Sequence, residues 1–220
     1  MLDWKNIHTV FLDMDGTLLD LHFDNHFWTE HVPLRYAEYH GLEIEVSKQT
    51  LFPRMRAIEG TMQWYCVDYW TRELGLDIAE LKREVEHLIA VHPHVIEFLE
   101  AVRAAGKRTV LVTNAHAMSL DLKMQHTRLR GHFDNIICAH DFGMPKEHPE
   151  FWQALQACEH FDPEHTLLVD DSLPVLRSAQ NYGMAHLLAI HKPDTRGPAR
   201  DVGEFPAIHS FDDIMPVTQA

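Results

Sequence analysis

Three short apolar runs in this 220-residue chain each end on residues that can do chemistry. The first reads Val10-Phe11-Leu12-Asp13-Met14-Asp15-Gly16-Thr17, the second Val110-Leu111-Val112-Thr113-Asn114, and a later one Leu167-Leu168-Val169-Asp170-Asp171-Ser172. A loop, Gly143-Met144-Pro145-Lys146, adds a cation. Asp13 and Asp15 are two residues apart, so at a strand end both carboxyls face the same side. Gly16 permits a tight turn there and a close approach of the backbone. Asp13, Asp15, Asp170 and Asp171 in one cleft would repel one another severely unless a cation held them. Hard oxygen donors in a small phosphate-directed site point to Mg²⁺. The ion would keep Asp13 ionised as a nucleophile and, with Lys146, offset the repulsion of an incoming phosphate.

Five apolar runs without polar alternation are expected as buried strands: Thr9–Leu12, Thr109–Val112, Asn135–Ala139, Thr166–Val169 and His186–Ile190. Helical patterns at Ser119–Leu129, Pro149–Cys158 and Pro174–Tyr182 alternate with the last four. This alternation predicts an α/β fold, a doubly wound parallel sheet. Ligands bind outside the carboxyl ends of such strands, so Asp13, Thr113, Lys146 and Asp170–Asp171 converge on one edge. Positions 21–90 break the alternation with four helical stretches, near Asn25–His40, Ser47–Glu59, Thr61–Leu74 and Ile78–Ile89, separated by Gly41, Gly60 and Gly75. They are expected to form an all-helical insertion with a small core of its own. Residues 1–20 and 91–220 then make the catalytic core, rejoined through a helix at Pro93–Ala105. The tail after His191 reads as loop with a short element around Phe211–Met215.

The composition narrows the function. Asp and Glu number 33 against 19 Lys and Arg, a net charge of −14. That excess disfavours a nucleic acid polymer as partner. No apolar run approaches the ~18 residues needed to span a bilayer. The N-terminal residues show no basic segment leading into an apolar one, and the three cysteines form no CxxC pair, so a cytoplasmic enzyme without a disulfide scaffold or zinc cage is expected.

The ordered set D-x-D-G-T, hydrophobic-Thr, Lys and Asp-Asp resembles the haloacid dehalogenase superfamily of aspartate-nucleophile phosphohydrolases, and the helical insertion is similar to that superfamily's cap. The resemblance implies that Asp13 attacks phosphorus and forms an aspartyl-phosphate. Asp15 would protonate the leaving oxygen and then activate water. Thr113, Asn114 and nearby amides would hold phosphoryl oxygens, and Lys146 would balance charge. Mg²⁺ would be bound by Asp13, Asp15 (through its backbone carbonyl), Asp171 and, directly or through water, Asp170. Within the superfamily, Leu19-Asp20-Leu21, Phe23-Asp24-Asn25-His26-Phe27-Trp28, Trp64-Tyr65-Cys66-Val67-Asp68-Tyr69-Trp70, Gly75-Leu76-Asp77-Ile78 and Thr113-Asn114-Ala115-His116 resemble bacterial purine 5′-nucleotidases acting on GMP and IMP. The implied partner is a small-molecule phosphate ester, a purine nucleotide.

Other residues have plainer readings. Val67, Trp70 and Leu74 form a stripe expected in a helix-bundle core. One of Phe27, Trp28, Trp64 or Tyr65 could still face the cleft and stack on a base. Arg54 and Arg56 read as solvated or as contacting the base or sugar. Ser172 reads as a helix cap. The run Glu80, Lys82, Arg83, Glu84, Glu86 reads as a solvated helix face, and the 18 histidines as a surface excess. The alternatives are a phosphatase or mutase of a sugar phosphate and, from another class, a phospho-accepting signalling receiver. A receiver uses the same residue types, but its acid pair comes first in the chain, and it lacks an inserted cap.

Overall fold

A computed structural model of the chain describes residues 2–219; Met1 and Ala220, the outermost positions of the expected core, lie outside them. Five strands form where the apolar runs predict them: β1 (Thr9–Leu12), β2 (Arg108–Thr113), β3 (Asn135–Cys138), β4 (Thr166–Val169) and β5 (His186–Ile190). A sixth, β6 (Ala207–Ile208), lies in the tail that was expected to be loop. The sheet is parallel throughout, with spatial order β3-β2-β1-β4-β5-β6. Leu12 lies beside Leu111 of β2 and Val169 of β4, so these three strands end at one level. The strand order reverses direction between β1 and β4, which opens the crevice where ligands bind in such sheets.

Both faces of the sheet are covered, which explains the strands' lack of polar alternation. Val10, Leu12, Leu111, Leu167 and Val169 join one apolar cluster; Phe11, Val110, Val112 and Leu168 join another. The described residues form ten α-helices: α1 (His22–His26), α2 (Val32–His40), α3 (Ile44–Ala57), α4 (Met62–Tyr65), α5 (Val67–Leu74), α6 (Ile78–Glu84), α7 (Val95–Ala104), α8 (Ala117–Thr127), α9 (Phe151–Cys158) and α10 (Leu173–Tyr182). The first cluster takes Phe98 and Val102 of α7 and Leu120 and Met124 of α8; the second takes Phe151, Trp152 and Leu155 of α9 and Val175 and Leu176 of α10. Trp152 donates to Ser178 Oγ at 3.2 Å, tying α9 to α10.

The helices α1–α6 depart from the expected pattern in three respects. The stretch expected as one helix over Asn25–His40 is interrupted by a π-turn at Phe27–His31. Pro33 follows it and has no N–H to give the carbonyl four residues back, so the ladder widens there. The stretch Thr61–Leu74 breaks at Cys66, which is extended (φ −88°, ψ 112°). Trp70 stabilises this break by donating its indole N–H to Trp64 O at 3.0 Å. Finally, Phe23, Phe27, Leu51, Trp70 and Ile78 run without interruption into the core on the first sheet face, rather than forming a separate one. The stripe Val67, Trp70 and Leu74 is buried as expected.

The two ends of this helical run meet. Leu19 pairs antiparallel with Val91, Asp20 N donates to Ala90 O at 2.9 Å, and His92 N donates to Leu18 O at 2.9 Å. Asp20 also accepts from Thr195 and, at 3.0 Å, from His22 N, which anchors this junction to the loop after β5. No helix among the described residues is long and apolar enough to cross a membrane.

Candidate active site

Asp13 leaves β1 with its N–H still in the sheet, donating to Val169 O at 3.0 Å, so β4 fixes its backbone. Its Oδ1 accepts from Lys146 Nζ at 2.6 Å. The same ammonium donates to Asp170 Oδ2 at 2.7 Å and to Val112 O at 3.0 Å, and is almost fully buried. Burial opposes the charge on Lys146, but Asp13 and Asp170 outweigh it and raise its affinity for the proton. The lysine comes from a long loop, yet its position is well fixed, because its own N–H donates to Asn114 Oδ1 at 2.9 Å.

Asp171 lies on the other side of the turn from Gly16. A Cβ on Gly16, whose φ is +91°, would sit 2.6 Å from Asp171 Oδ2. Glycine is needed there for both the turn and the clearance. Asp13, Asp170 and Asp171 can each place a carboxylate oxygen within 4.8 Å of the others. Burial pushes the Asp170 carboxyl up to about 7, with Lys146 opposing and Asp13 adding to the rise. Burial and the charges of Asp13 and Asp170 raise Asp171 well above the ordinary carboxyl value, against Arg200, which donates to its Oδ2 at 3.0 Å. Three crowded carboxylates, of which Asp170 and Asp171 are raised, are a donor set for a hard divalent cation, whose charge offsets their repulsion. Asp170 is otherwise engaged: Lys146 takes Oδ2 and Ser172 N donates to Oδ1 at 2.9 Å. Asp13 Oδ2 and Asp171 Oδ1 accept no hydrogen bond from the described residues, so they are the freer donors for a cation.

Asp15 points elsewhere. Its Oδ1 accepts from Lys123 Nζ at 2.6 Å, and the same ammonium donates to Asp24 Oδ2 at 2.6 Å. Lys82 completes the chain with a 3.0 Å bond to Asp24 Oδ1. Burial raises the Asp15 carboxyl to about 6, with Lys123 opposing and Asp24 and Asp13 adding to the rise. Asp24 goes the other way: Lys123 and Lys82 overcome burial and lower it to about 2. Thr113 is buried, with Oγ1 accepting from Ala115 N at 3.0 Å, which ties down the turn after β2. Asn114 Nδ2 donates to Glu147 Oε2 at 2.9 Å, and Tyr65 donates its hydroxyl proton to Glu147 Oε1 at 2.6 Å. That carboxylate therefore joins α4 to the sheet edge.

Asp13, Asp15, Thr113, Asn114, Lys146, Asp170 and Asp171 all line one cavity of about 440 Å³. Every site residue expected from the sequence is thus brought together. Of the aromatics weighed, Trp28, Trp64 and Tyr65 line this cavity, whereas Phe27 is buried beneath. Arg54 is turned away, pairing with Glu73 at 2.9 Å. Ser172 precedes α10 without a capping hydrogen bond from its side chain, and lines the cavity instead.

Sequence reading missed Lys123, Asp24, Glu147 and Arg200, and it placed Lys82 on a solvated face although Lys82 is buried. A signal existed for the two lysines. On α8 the buried positions are Ser119, Leu120, Lys123 and Met124, and on α6 they are Ile78, Leu81 and Lys82. A lysine in an inward stripe must have a buried partner.

Comparison with known proteins shows the family. The family model described as haloacid dehalogenase-like hydrolase matches residues 7–183. The chain belongs to that family. It is an enzyme of the family's phosphatase type, which removes the signalling-receiver alternative. The GMP/IMP nucleotidase YrfG of Escherichia coli is 36% identical over 213 residues, covering 97% of this chain and 96% of its own. A phosphoglycolate phosphatase of Nitrosospira multiformis is 30% identical over 212 residues, covering 90% and 88%. Among solved structures, a haloacid dehalogenase phosphatase from Thermococcus onnurineus superposes with a TM-score of 0.80 at 20% identity, covering 97% of this chain and 100% of that one, a likeness of fold.

Proposed function

We propose that this enzyme is a Mg²⁺-dependent phosphomonoesterase that works through an aspartyl-phosphate and takes purine nucleoside 5′-monophosphates of the 6-oxo type, GMP and IMP. The observation that carries the chemical part is the buried ammonium of Lys146, shared between Asp13 and Asp170 at 2.6 and 2.7 Å, beside Asp171. The substrate part rests on the relative named for GMP and IMP and on a cavity lined by Trp28, Trp64 and Tyr65. A cavity of about 440 Å³ falls within the ~300–1,000 Å³ range of small-molecule sites.

In this reading residues 1–20 and 91–220 are the catalytic core and 21–90 a cap, a division supported by the meeting of the chain at Asp20 and Ala90. Lys146 orients Asp13 by holding Oδ1. An Asp13 oxygen attacks phosphorus, the bond to the ribose oxygen breaks, and protonated Asp15 gives that oxygen its proton. Ionised Asp15 then takes a proton from the water that attacks the acyl phosphate, which releases inorganic phosphate and restores Asp13. Burial suits Asp15 to both roles, since a carboxyl held near pH 6 exchanges protons readily around neutrality. Asp13, Asp171 and the Asp15 carbonyl would hold Mg²⁺, with Asp170 steadying Lys146; the ion supplies charge neutralisation and positioning of the phosphoryl group. Lys146 and the amides around Met14 and Asn114 take up the phosphoryl oxygens.

The test is phosphate release with Mg²⁺ from a panel of IMP, GMP, AMP, pyrimidine nucleotides and sugar phosphates. The reading expects IMP and GMP to have the highest kcat/KM. Preference for a sugar phosphate would overturn the substrate assignment and leave the aspartate chemistry standing.

A further inference from the structure

The three cysteines and 18 histidines show no short-range ligand motif, but the fold gathers one set of them. Cys66, His116 and His140 can each place a ligand atom within 4.8 Å of the other two. They come from three different elements: the extended break between α4 and α5, the residue preceding α8, and the 3₁₀ turn that follows β3.

We propose that Cys66, His116 and His140 form a binding site for a soft divalent transition-metal ion, Zn²⁺ being the reference case, separate from the carboxylate cluster that faces the phosphate. The donor set decides the class of ion. One thiolate and two imidazoles suit Zn²⁺, Co²⁺ or Cu²⁺ and not Mg²⁺, which takes hard oxygen donors. In a tetrahedral zinc site with bonds of ~2.0–2.3 Å, neighbouring ligand atoms lie ~3.4–3.7 Å apart. The side chains close that gap by small rotations.

The state of each donor supports the assignment. His140 Nε2 is buried and has no hydrogen-bond partner among the described residues. A buried ring nitrogen without a partner costs free energy, and a metal ion repays it. His116 uses Nδ1 to accept from Met118 N at 3.4 Å, which directs Nε2 outward as the ligand nitrogen. The two imidazoles meet edge to face with centroids 5.0 Å apart. Cys66 Sγ accepts from Tyr69 N at 3.4 Å, which fixes the sulfur at the head of α5. Three protein ligands leave a fourth position open to water; Asp68 Oδ2 lies 3.6 Å from His116 Nε2. An ion here would fasten the break between α4 and α5 to the loops that follow β2 and β3. Because His116 also lines the substrate cavity, a loaded site would hold that wall of the cavity fixed.

Co²⁺ is the probe. The full-length protein, with thiols kept reduced and Mg²⁺ in large excess to fill the carboxylate cluster, is titrated with Co²⁺ and followed by absorbance. The proposal expects one equivalent to give a thiolate-to-Co²⁺ charge-transfer band with intense tetrahedral d–d bands, and one equivalent of Zn²⁺ to remove both. Cys66→Ser abolishes the charge-transfer band, and His140→Gln, which keeps the thiol, weakens binding about tenfold or more, since even outer-shell losses cost ~10–100-fold. If Cys66→Ser misfolds, as circular dichroism would reveal, His140→Gln alone decides. Absence of a thiolate band in the wild type, its survival in Cys66→Ser, or unchanged affinity in His140→Gln would each overturn the proposal.

Discussion

Replacing Lys123 by Met tests whether the buried chain Asp15–Lys123–Asp24–Lys82 is an electrostatic unit. Removal of the ammonium leaves two carboxylates, each previously 2.6 Å from it, with only Lys82 in reach of one of them. The magnitude follows from the two proton affinities. Asp15 already sits at about 6 against an ordinary value of 3.8, so at pH 7.5 its ionised form costs the fold about 3 kcal/mol. Without Lys123 it stays protonated at that pH, at a cost of about 1.4 kcal/mol for every unit above 3.8, or ~5 kcal/mol. Asp24 lies at about 2, and that depression stabilises the fold by roughly 2 kcal/mol at any pH above 4, a gain that Lys123 shares with Lys82. Lys123→Met is therefore expected to lose ~3 kcal/mol at pH 7.5, in line with the ~3–5 kcal/mol for breaking a buried pair. The sign of the pH dependence is fixed. A raised carboxyl begins to destabilise above its unfolded value of 3.8 and does so fully above its folded value of about 6; at pH 5 Asp15 is protonated with or without Lys123, so its remaining cost is the same in both proteins. Only the Asp24 share, ~1 kcal/mol, then remains. Urea denaturation in Mg²⁺-free buffer, followed by tryptophan fluorescence at both pH values, measures the difference. A loss that is below ~1 kcal/mol at pH 7.5, or equal at the two pH values, would refute the reasoning.

Three further outcomes are expected. Asp13→Asn folds, because Lys146 keeps its bond to Asp170, but releases no phosphate above background in a malachite-green assay. Gly16→Ala brings a methyl to 2.6 Å from Asp171 Oδ2 at a positive φ; kcat/KM should fall at least about tenfold, with a rise in the Mg²⁺ concentration needed for half-maximal rate. Tyr65→Phe removes the 2.6 Å bond to Glu147 and frees that carboxylate from α4. Stability should drop by ~1–2 kcal/mol, and KM should rise more than kcat falls, as steady-state kinetics would show.

Much of the reactive edge was legible because its residues are local. Asp13, Thr113 and Asp170 each terminate an apolar run, and a parallel sheet aligns strand ends whatever the sequence distance between them. What escaped was decided by packing between distant segments. Lys123 meets Asp15 across 108 positions and Asp24 across 99, and no local pattern encodes such a pairing. Strand β6 is two residues long in a stretch rich in Pro and Asp, and forms only because β5 offers a free edge. The break at Cys66 depends on the Trp70 indole taking a backbone carbonyl, and helix propensity carries no trace of it. Lys82 was hidden in sequence among the charged residues Glu80, Arg83, Glu84 and Glu86, although its place in the stripe with Ile78 and Leu81 marked it as inward.

The pairing of Leu19 with Val91 has a wider implication. The polypeptide departs for six helices and comes home through the same doorway, so the sheet is threaded identically whatever is hung outside it. Through Asp24 and Lys82 those helices still touch the charged chain that holds Asp15, so remodelling them reaches back across the threshold.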